Sequence, residues 1–114
     1  MKKQSDLFDS LLYSVGIAGG YLGYRYFKEA VFIIMEHPEK LSSIRKEVYL
    51  AIAQKNNTSL INVERNIRYI RDIMLKNGGC ELLEEMTHCK FRHRNRPYPR
   101  EVIEIFAKYL KQNT

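Results

Sequence analysis

Residues 58–76 read TSLINVERNIRYIRDIMLK, and their pattern is the most informative about the structure of the chain. Its apolar side chains recur at intervals of three or four, the spacing of one buried stripe on an α-helix. The residues of that stripe are Val63, Ile67, Ile70 and Met74. Thr58 or Ser59 can cap the start of the helix, and Asn77-Gly78-Gly79 can stop it just after Lys76. We therefore predict a long, well-delimited helix here.

The rest of the chain shows helical spacing too, and no run alternates strictly enough to predict a strand. We predict an all-α fold of about six helices, with residues 1–114 forming one compact domain. A first helix starts after the N-cap Ser5, a second ends at His37-Pro38, and the last opens at Pro99. The apolar face of the short third helix is predicted to hold Ile44, Val48, Ala51 and Ile52.

Four glycines, Gly16, Gly19, Gly20 and Gly23, interrupt the pattern between the first two helices. Their spacing is not that of a dinucleotide-binding loop, and no strand precedes them. We interpret them as a connector or as a point where two helices approach closely, and we expect no nucleotide cofactor.

Composition indicates a folded protein with an anionic partner. The chain has 114 residues, 45% hydrophobic and 28% charged, and a formal net charge of +6. Residues 58–100 carry nine basic and five acidic side chains, so most of the excess lies there. Nucleic acid fits that charge, although a merely basic surface needs no partner. The N-terminus does not read as a secretion signal, and the uncharged stretch 10–24 is too short to span a membrane, so we expect a cytoplasmic protein.

The third and fourth predicted helices, about residues 46–76, have the outline of a helix-turn-helix. Opposite the buried stripe, the fourth helix presents side chains that suit a major groove: arginines for guanine, asparagine for adenine and an apolar group for a thymine methyl. These residues are Ile61, Asn62, Arg65, Arg68, Tyr69, Asp72 and Lys76. The alternative is a solvated face with Glu64–Arg68 and Arg68–Asp72 ion pairs at i, i+4.

Residues 88–100 read HCKFRHRNRPYPR, with five Lys or Arg side chains and no acid. Such a run suits contacts with phosphates, which position a protein on DNA without reading its sequence. A solvated basic loop is the alternative.

The sequence gives little support for a metal-binding protein or for an enzyme. Cys80, His88, Cys89 and His93 have zinc-binding side chains, but the spacing lacks the paired CxxC knuckle. No third group is evident that would orient a cysteine–histidine pair for nucleophilic catalysis. We therefore expect no metal and no enzymatic activity.

The sequence resembles a known family, the C-terminal DNA-binding effector domain of the sporulation-initiation response regulator of endospore-forming Firmicutes. The matching pieces are GYLGYRYFKEAV at 20–31, the run from Leu41 to Lys55, the turn Asn57-Thr58, VERNIR at 63–68, and Gly78. The resemblance covers nearly the whole chain. It implies about six helices, with the fourth in the major groove, and binding to short operator boxes as a dimer or in tandem.

Carried over by position, Glu64, Arg65 and Arg68 match the family's recognition-helix residues and Thr58 matches the helix start. Asn62 stands where the family often has arginine, so an adenine contact can replace a guanine contact. From the resemblance and the exposed face together, we predict base contacts from Asn62, Glu64, Arg65, Arg68 and Tyr69. The predicted phosphate contacts are Thr58, Ser59, Arg71, Lys76, Lys90, Arg92, Arg94 and Arg96.

These features predict a sequence-specific transcription regulator that binds double-stranded DNA as a homodimer. The alternative is a protein-interaction module that pairs through its last helix with a full-length regulator. The family regulator also has a receiver domain, for which 114 residues leave no room. If the chain is complete, we expect no phosphorelay control in cis, and we do not expect Asp6 or Asp9 to act as the phosphate acceptor.

Overall fold

A computed structural model describes residues 2–90 and 96–114, and no strand is found within those ranges. The all-α prediction is confirmed. Six α-helices follow in order, and a 3₁₀ segment at Pro38–Ser43 and a π-helical segment at Arg45–Tyr49 lie between the second and third. The helices are α1 Lys2–Ser14, α2 Leu22–Glu36, α3 Leu50–Lys55, α4 Leu60–Lys76, α5 Gly79–Thr87 and α6 Pro99–Gln112. No helix in the described ranges is long and apolar enough to cross a bilayer.

Helix α2 is at the centre of the packing, against α4 on one side and α6 on another. Three aromatic rings meet there, with the Phe27 and Phe106 centroids 5.1 Å apart and Phe8 of α1 within 6 Å of both. All four residues of the predicted α4 stripe are fully buried in the same core. Burial of a side chain of this size contributes roughly 1.5–3 kcal/mol, so α4 is held firmly on the core.

Gly23 allows α2 and α4 to approach closely. A Cβ at this position would lie 2.4 Å from the Asn66 carbonyl oxygen and 2.7 Å from Cγ1 of Ile70. No other residue fits without moving one helix. The prediction that these glycines include a close helix contact holds for Gly23, whereas Gly19 and Gly20 meet nothing within 4 Å and serve as connector.

The predicted apolar face of the third helix is wrong in one respect. Val48 and Ile52 are buried as expected, but Ala51 is exposed and Tyr49 is buried in its place. The cause is the π-helical segment 45–49, which accommodates one extra residue and so rotates the following face. A prediction based on a uniform period of 3.6 residues misses that rotation.

Helix α1 begins at Lys2, so Ser5 lies inside it and does not cap it. An ionic network fixes this helix to α2: Asp9 accepts hydrogen bonds from the Tyr24 hydroxyl and from Lys28 Nζ, the latter at 2.9 Å. The remaining boundaries follow the sequence, with α2 ending before His37, α6 opening at Pro99, and Gly78 in the left-handed region at φ 86° before α5.

Candidate nucleic-acid interface

The turn between α3 and α4 is closed by its own hydrogen bonds. The Thr58 backbone N–H donates to the Ala53 carbonyl at 2.9 Å, and Ser59, the N-cap of α4, accepts from the Asn62 backbone N–H at 3.1 Å. The N-cap hydroxyl satisfies one of the donors that a helix start leaves open. These contacts set the direction in which α4 leaves the turn.

The outer face of α4 is solvent-accessible over most of its length. The exposed positions include two guanidiniums, an aliphatic group, a ring and an ammonium. These residues are Ile61, Arg65, Arg68, Tyr69 and Lys76. Ile61 and Tyr69 are more than half exposed and so add apolar surface to this face. The combination offers hydrogen-bond donors and apolar contacts on one helix face.

Arg65 and Arg68 have no carboxylate within ion-pair distance in the part of the chain described. The i, i+4 pairs of the solvated-face alternative are not formed, because the acids involved have other partners. Glu64 pairs with Arg45 Nε at 3.0 Å, and Asp72 pairs with Arg71 Nε at 2.8 Å. Both arginines of the outer face therefore keep their donors available.

Asn62 takes part in a local hydrogen-bond network. Its amide donates to Thr58 Oγ1 at 2.9 Å, and its Oδ1 accepts from the Asn66 amide at 3.1 Å. Asn66 also donates to the Asn62 carbonyl at 2.8 Å. An adenine contact by Asn62 would exchange these hydrogen bonds for bonds to the base.

Arg71 and Arg96, two of the predicted phosphate contacts, converge on one acid. Arg96 lies 3.1 Å from Asp72 Oδ1, the oxygen that Arg71 Nε also contacts. Arg71 donates in addition to the Pro97 carbonyl at 3.2 Å, and its side chain is largely buried. Arg71 therefore ties α4 to the segment before α6, while Arg96 stays exposed at the edge of the same network.

The other predicted phosphate contacts are distributed along the interface. Thr58 is half-buried at the turn and Ser59 is exposed at the N-terminus of α4, while Lys76 is exposed in its last turn. Lys90 is exposed beyond α5. Arg92 and Arg94 lie outside the described residues.

Two residues that were not predicted from the sequence, Arg45 and Tyr49, lie beside α4 together with two members of the predicted 88–100 run. Arg45, Tyr49, Tyr98 and Arg100 line a groove of about 530 Å³ together with Glu64 and Arg68. Burial and the Glu64 carboxylate raise the pKa of Tyr49 to about 12, against the opposing influence of Arg68 and Arg100. The hydroxyl therefore stays protonated at neutral pH. The sequence did carry a signal at Arg100, which is the last of the five cations in the 88–100 run predicted to suit phosphate contacts.

Candidate metal ligands do not come together in the part of the chain that is described. No group of three or more His, Cys, Asp or Glu side chains is placed to hold an ion there, and Cys80 and Cys89 are free thiols. His93 lies outside the described residues.

The arrangement is a long capped helix packed on a helical core, with two arginines exposed on its outer face and without a carboxylate partner in the described residues. Residues 8–110 match the family model described as Sporulation initiation factor Spo0A C terminal. The match spans most of the chain, and the protein belongs to this family. The family resemblance noted from the sequence is thereby confirmed, and the family is one of DNA-binding effector domains of sporulation regulators, not of enzymes.

Proposed function

We propose that the protein is a sequence-specific transcription regulator whose helix α4 enters the major groove of DNA. The observation that carries the proposal is the pair Arg65 and Arg68, exposed on α4 without a carboxylate partner in the described residues. An exposed guanidinium can donate two hydrogen bonds to guanine O6 and N7. Membership of a DNA-binding family supports the same assignment.

Within this proposal, several side chains on the outer face of α4 contact the bases. Arg65 and Arg68 contact guanine, and Tyr69 adds an apolar surface. Its ring is backed by Tyr21, with the two centroids 6.5 Å apart. Glu64 holds Arg45 and can accept from a cytosine amino group, while Asn62 contacts adenine after releasing its internal partners.

Phosphate contacts would flank this face. We assign them to Thr58 and Ser59 at the start of α4, to Lys76 at its end, and to the basic segment after α5. The members of that segment are Lys90, Arg92, Arg94 and Arg96. Arg71 is the weakest of the predicted contacts, because Asp72 and the Pro97 carbonyl already occupy two of its donors and its side chain is largely buried. A dimer on DNA, the arrangement of the family, would repeat these contacts on adjacent operator boxes.

The test is fluorescence anisotropy of labelled duplexes at two salt concentrations. One duplex carries the operator box of the sporulation regulator family and the other a scrambled version. We expect tighter and less salt-sensitive binding to the box, since base contacts do not release counterions. Equal and steeply salt-dependent binding to both would contradict base reading on that operator.

The alternative of a protein-interaction module that docks through α6 has less support. Such docking calls for an exposed apolar stripe on α6. The apolar residues of α6 are instead turned into the core, and its exposed side chains are polar or charged. Those exposed residues are Arg100, Glu101, Lys108, Lys111 and Gln112.

A further inference from the structure

A groove lies between the start of the helix-turn-helix unit and the start of α6, and we name it the arginine groove. Its volume is about 530 Å³, and its lining includes the four arginines Arg45, Arg68, Arg71 and Arg100 and the single acid Glu64. Four guanidiniums around one cavity repel each other unless anions compensate them. The positive charge of this groove is the first observation that indicates an anionic ligand.

Two of the four arginines are already compensated. Arg45 pairs with Glu64 at 3.0 Å, and Arg71 pairs with Asp72 at 2.8 Å. Arg68 and Arg100 have no carboxylate within ion-pair distance among residues 2–90 and 96–114, and both are exposed. The groove therefore presents two uncompensated guanidiniums, one from α4 and one from α6.

The floor of the groove supplies a further donor. Tyr49 is only 3% exposed, and its hydroxyl makes no hydrogen bond within the described part of the chain. No buried polar side-chain atom is left without a partner there, so the hydroxyl itself reaches solvent at the groove. A hydroxyl in the lining of a groove that also holds Arg100 is suited to donate to an anion bound at that guanidinium.

We propose that the arginine groove binds one phosphate group of the DNA backbone, held by Arg100 and the Tyr49 hydroxyl, next to the base-contacting Arg68. Guanidinium forks match phosphate oxygens in geometry as well as charge. Arg68 lines the groove and also lies on the outer face of α4, so a duplex read by α4 passes the groove mouth. The proposal rests on the proposed function; it adds Tyr49 to the interface and gives Arg100, the last cation of the 88–100 run, a defined binding site.

The test compares three variants with the wild type on a duplex selected by the wild type from a random pool and on a scrambled duplex. Arg100→Gln removes the charge, Tyr49→Phe removes only the hydroxyl, and Lys108→Gln is the control. Lys108 lies on the same helix, exposed, and lines no part of this groove. Thermal unfolding followed by circular dichroism verifies that each variant is folded.

For Arg100→Gln we expect weaker binding to both duplexes by the same factor and a salt slope smaller by about 0.9, the value for one lost phosphate contact. Tyr49→Phe should weaken binding about tenfold with the slope retained, since a hydrogen bond to a charged group is lost but no cation. Lys108→Gln should match the wild type. Slopes and affinities of Arg100→Gln equal to those of Lys108→Gln would overturn the proposal.

A scan of single methylphosphonates along the selected duplex identifies the phosphate. One neutral linkage should weaken the wild type as much as Arg100→Gln does, and the same linkage should cost that variant nothing more. Additive losses at every linkage would contradict the proposal.

A free phosphate compound is the other ligand that offers a phosphate group to this groove. In NMR titrations with pyrophosphate and no DNA, shifts that disappear in Arg100→Gln, combined with an unchanged DNA salt slope, would assign the groove to a free anion and overturn the backbone assignment.

Failure of the proposed function gives a different result, because the wild type would then show no preference between the two duplexes. The comparison of Arg100→Gln with Lys108→Gln on scrambled DNA would still show whether the groove binds a backbone phosphate.

Discussion

Replacement of Gly23 by alanine tests how α4 is positioned. The added Cβ would lie 2.4 Å from the Asn66 carbonyl oxygen and 2.7 Å from Cγ1 of Ile70, so α2 and α4 have to separate. Overpacking of this kind costs about 1–3 kcal/mol. Alanine recovers at most about 1 kcal/mol of helix propensity, and less in the first turn. We expect a net loss of about 1–2 kcal/mol, which lowers Tm by roughly 5–10 °C in a domain of this size.

The assay is thermal unfolding by circular dichroism, with Gly20→Ala as the matched control. A Cβ at Gly20 meets nothing within 4 Å, so that variant should keep the wild-type Tm or raise it slightly. A Gly23→Ala protein as stable as the Gly20→Ala protein would refute the close helix approach.

Three further predictions follow from local contacts. Ser59→Ala removes the N-cap of α4 and should lower the free energy of unfolding by about 1 kcal/mol in chemical denaturation; an unchanged midpoint would contradict the capping role. Ultraviolet titration should give Tyr49 a pKa of about 12, and Glu64→Gln should lower it; because the folded pKa is raised, the stabilisation from the neutral phenol is lost as pH rises from about 10 through 12. Burial tends to raise the pKa of Asp9, but hydrogen bonds from Tyr24 and Lys28 lower it overall, so its stabilising contribution is present above pH 4 and is lost on acidification; Asp9→Asn should flatten the acid limb of the stability profile, and an unaltered limb would exclude the effect.

The sequence was sufficient to predict the parts of the fold that depend on local periodicity. The α4 stripe, a cap at Thr58 or Ser59 and an end at Lys76 follow from spacing and from the chemistry of caps, and the structure assigns the cap to Ser59. The π-helical turn at 45–49 could not be predicted in this way, because it breaks the period on which the prediction depends. The burial of Tyr49 in the lining of the groove could therefore not be predicted from the sequence.

The same distinction applies to the candidate site, where local spacing predicts some features and contacts between distant segments determine the others. The outward direction of Arg65 and Arg68 follows from their position opposite the stripe. Their lack of ion-pair partners does not follow from the sequence. Glu64 and Asp72 each lie four residues from Arg68, but they pair with Arg45 and Arg71 instead. The grouping of distant residues, such as Arg68 and Arg100 in the lining of one groove, depends on how α6 packs, which periodicity alone does not specify.

The most direct test of base reading by α4 is selection from a random pool of duplexes by the wild type and by Arg65→Ala in parallel. We predict that the wild type enriches a defined box and that Arg65→Ala loses discrimination at one base position, at a cost of about 1–3 kcal/mol on the wild-type box. Preferences at the other positions should remain. An identical selected sequence for both proteins, or no enriched sequence for the wild type, would contradict the account.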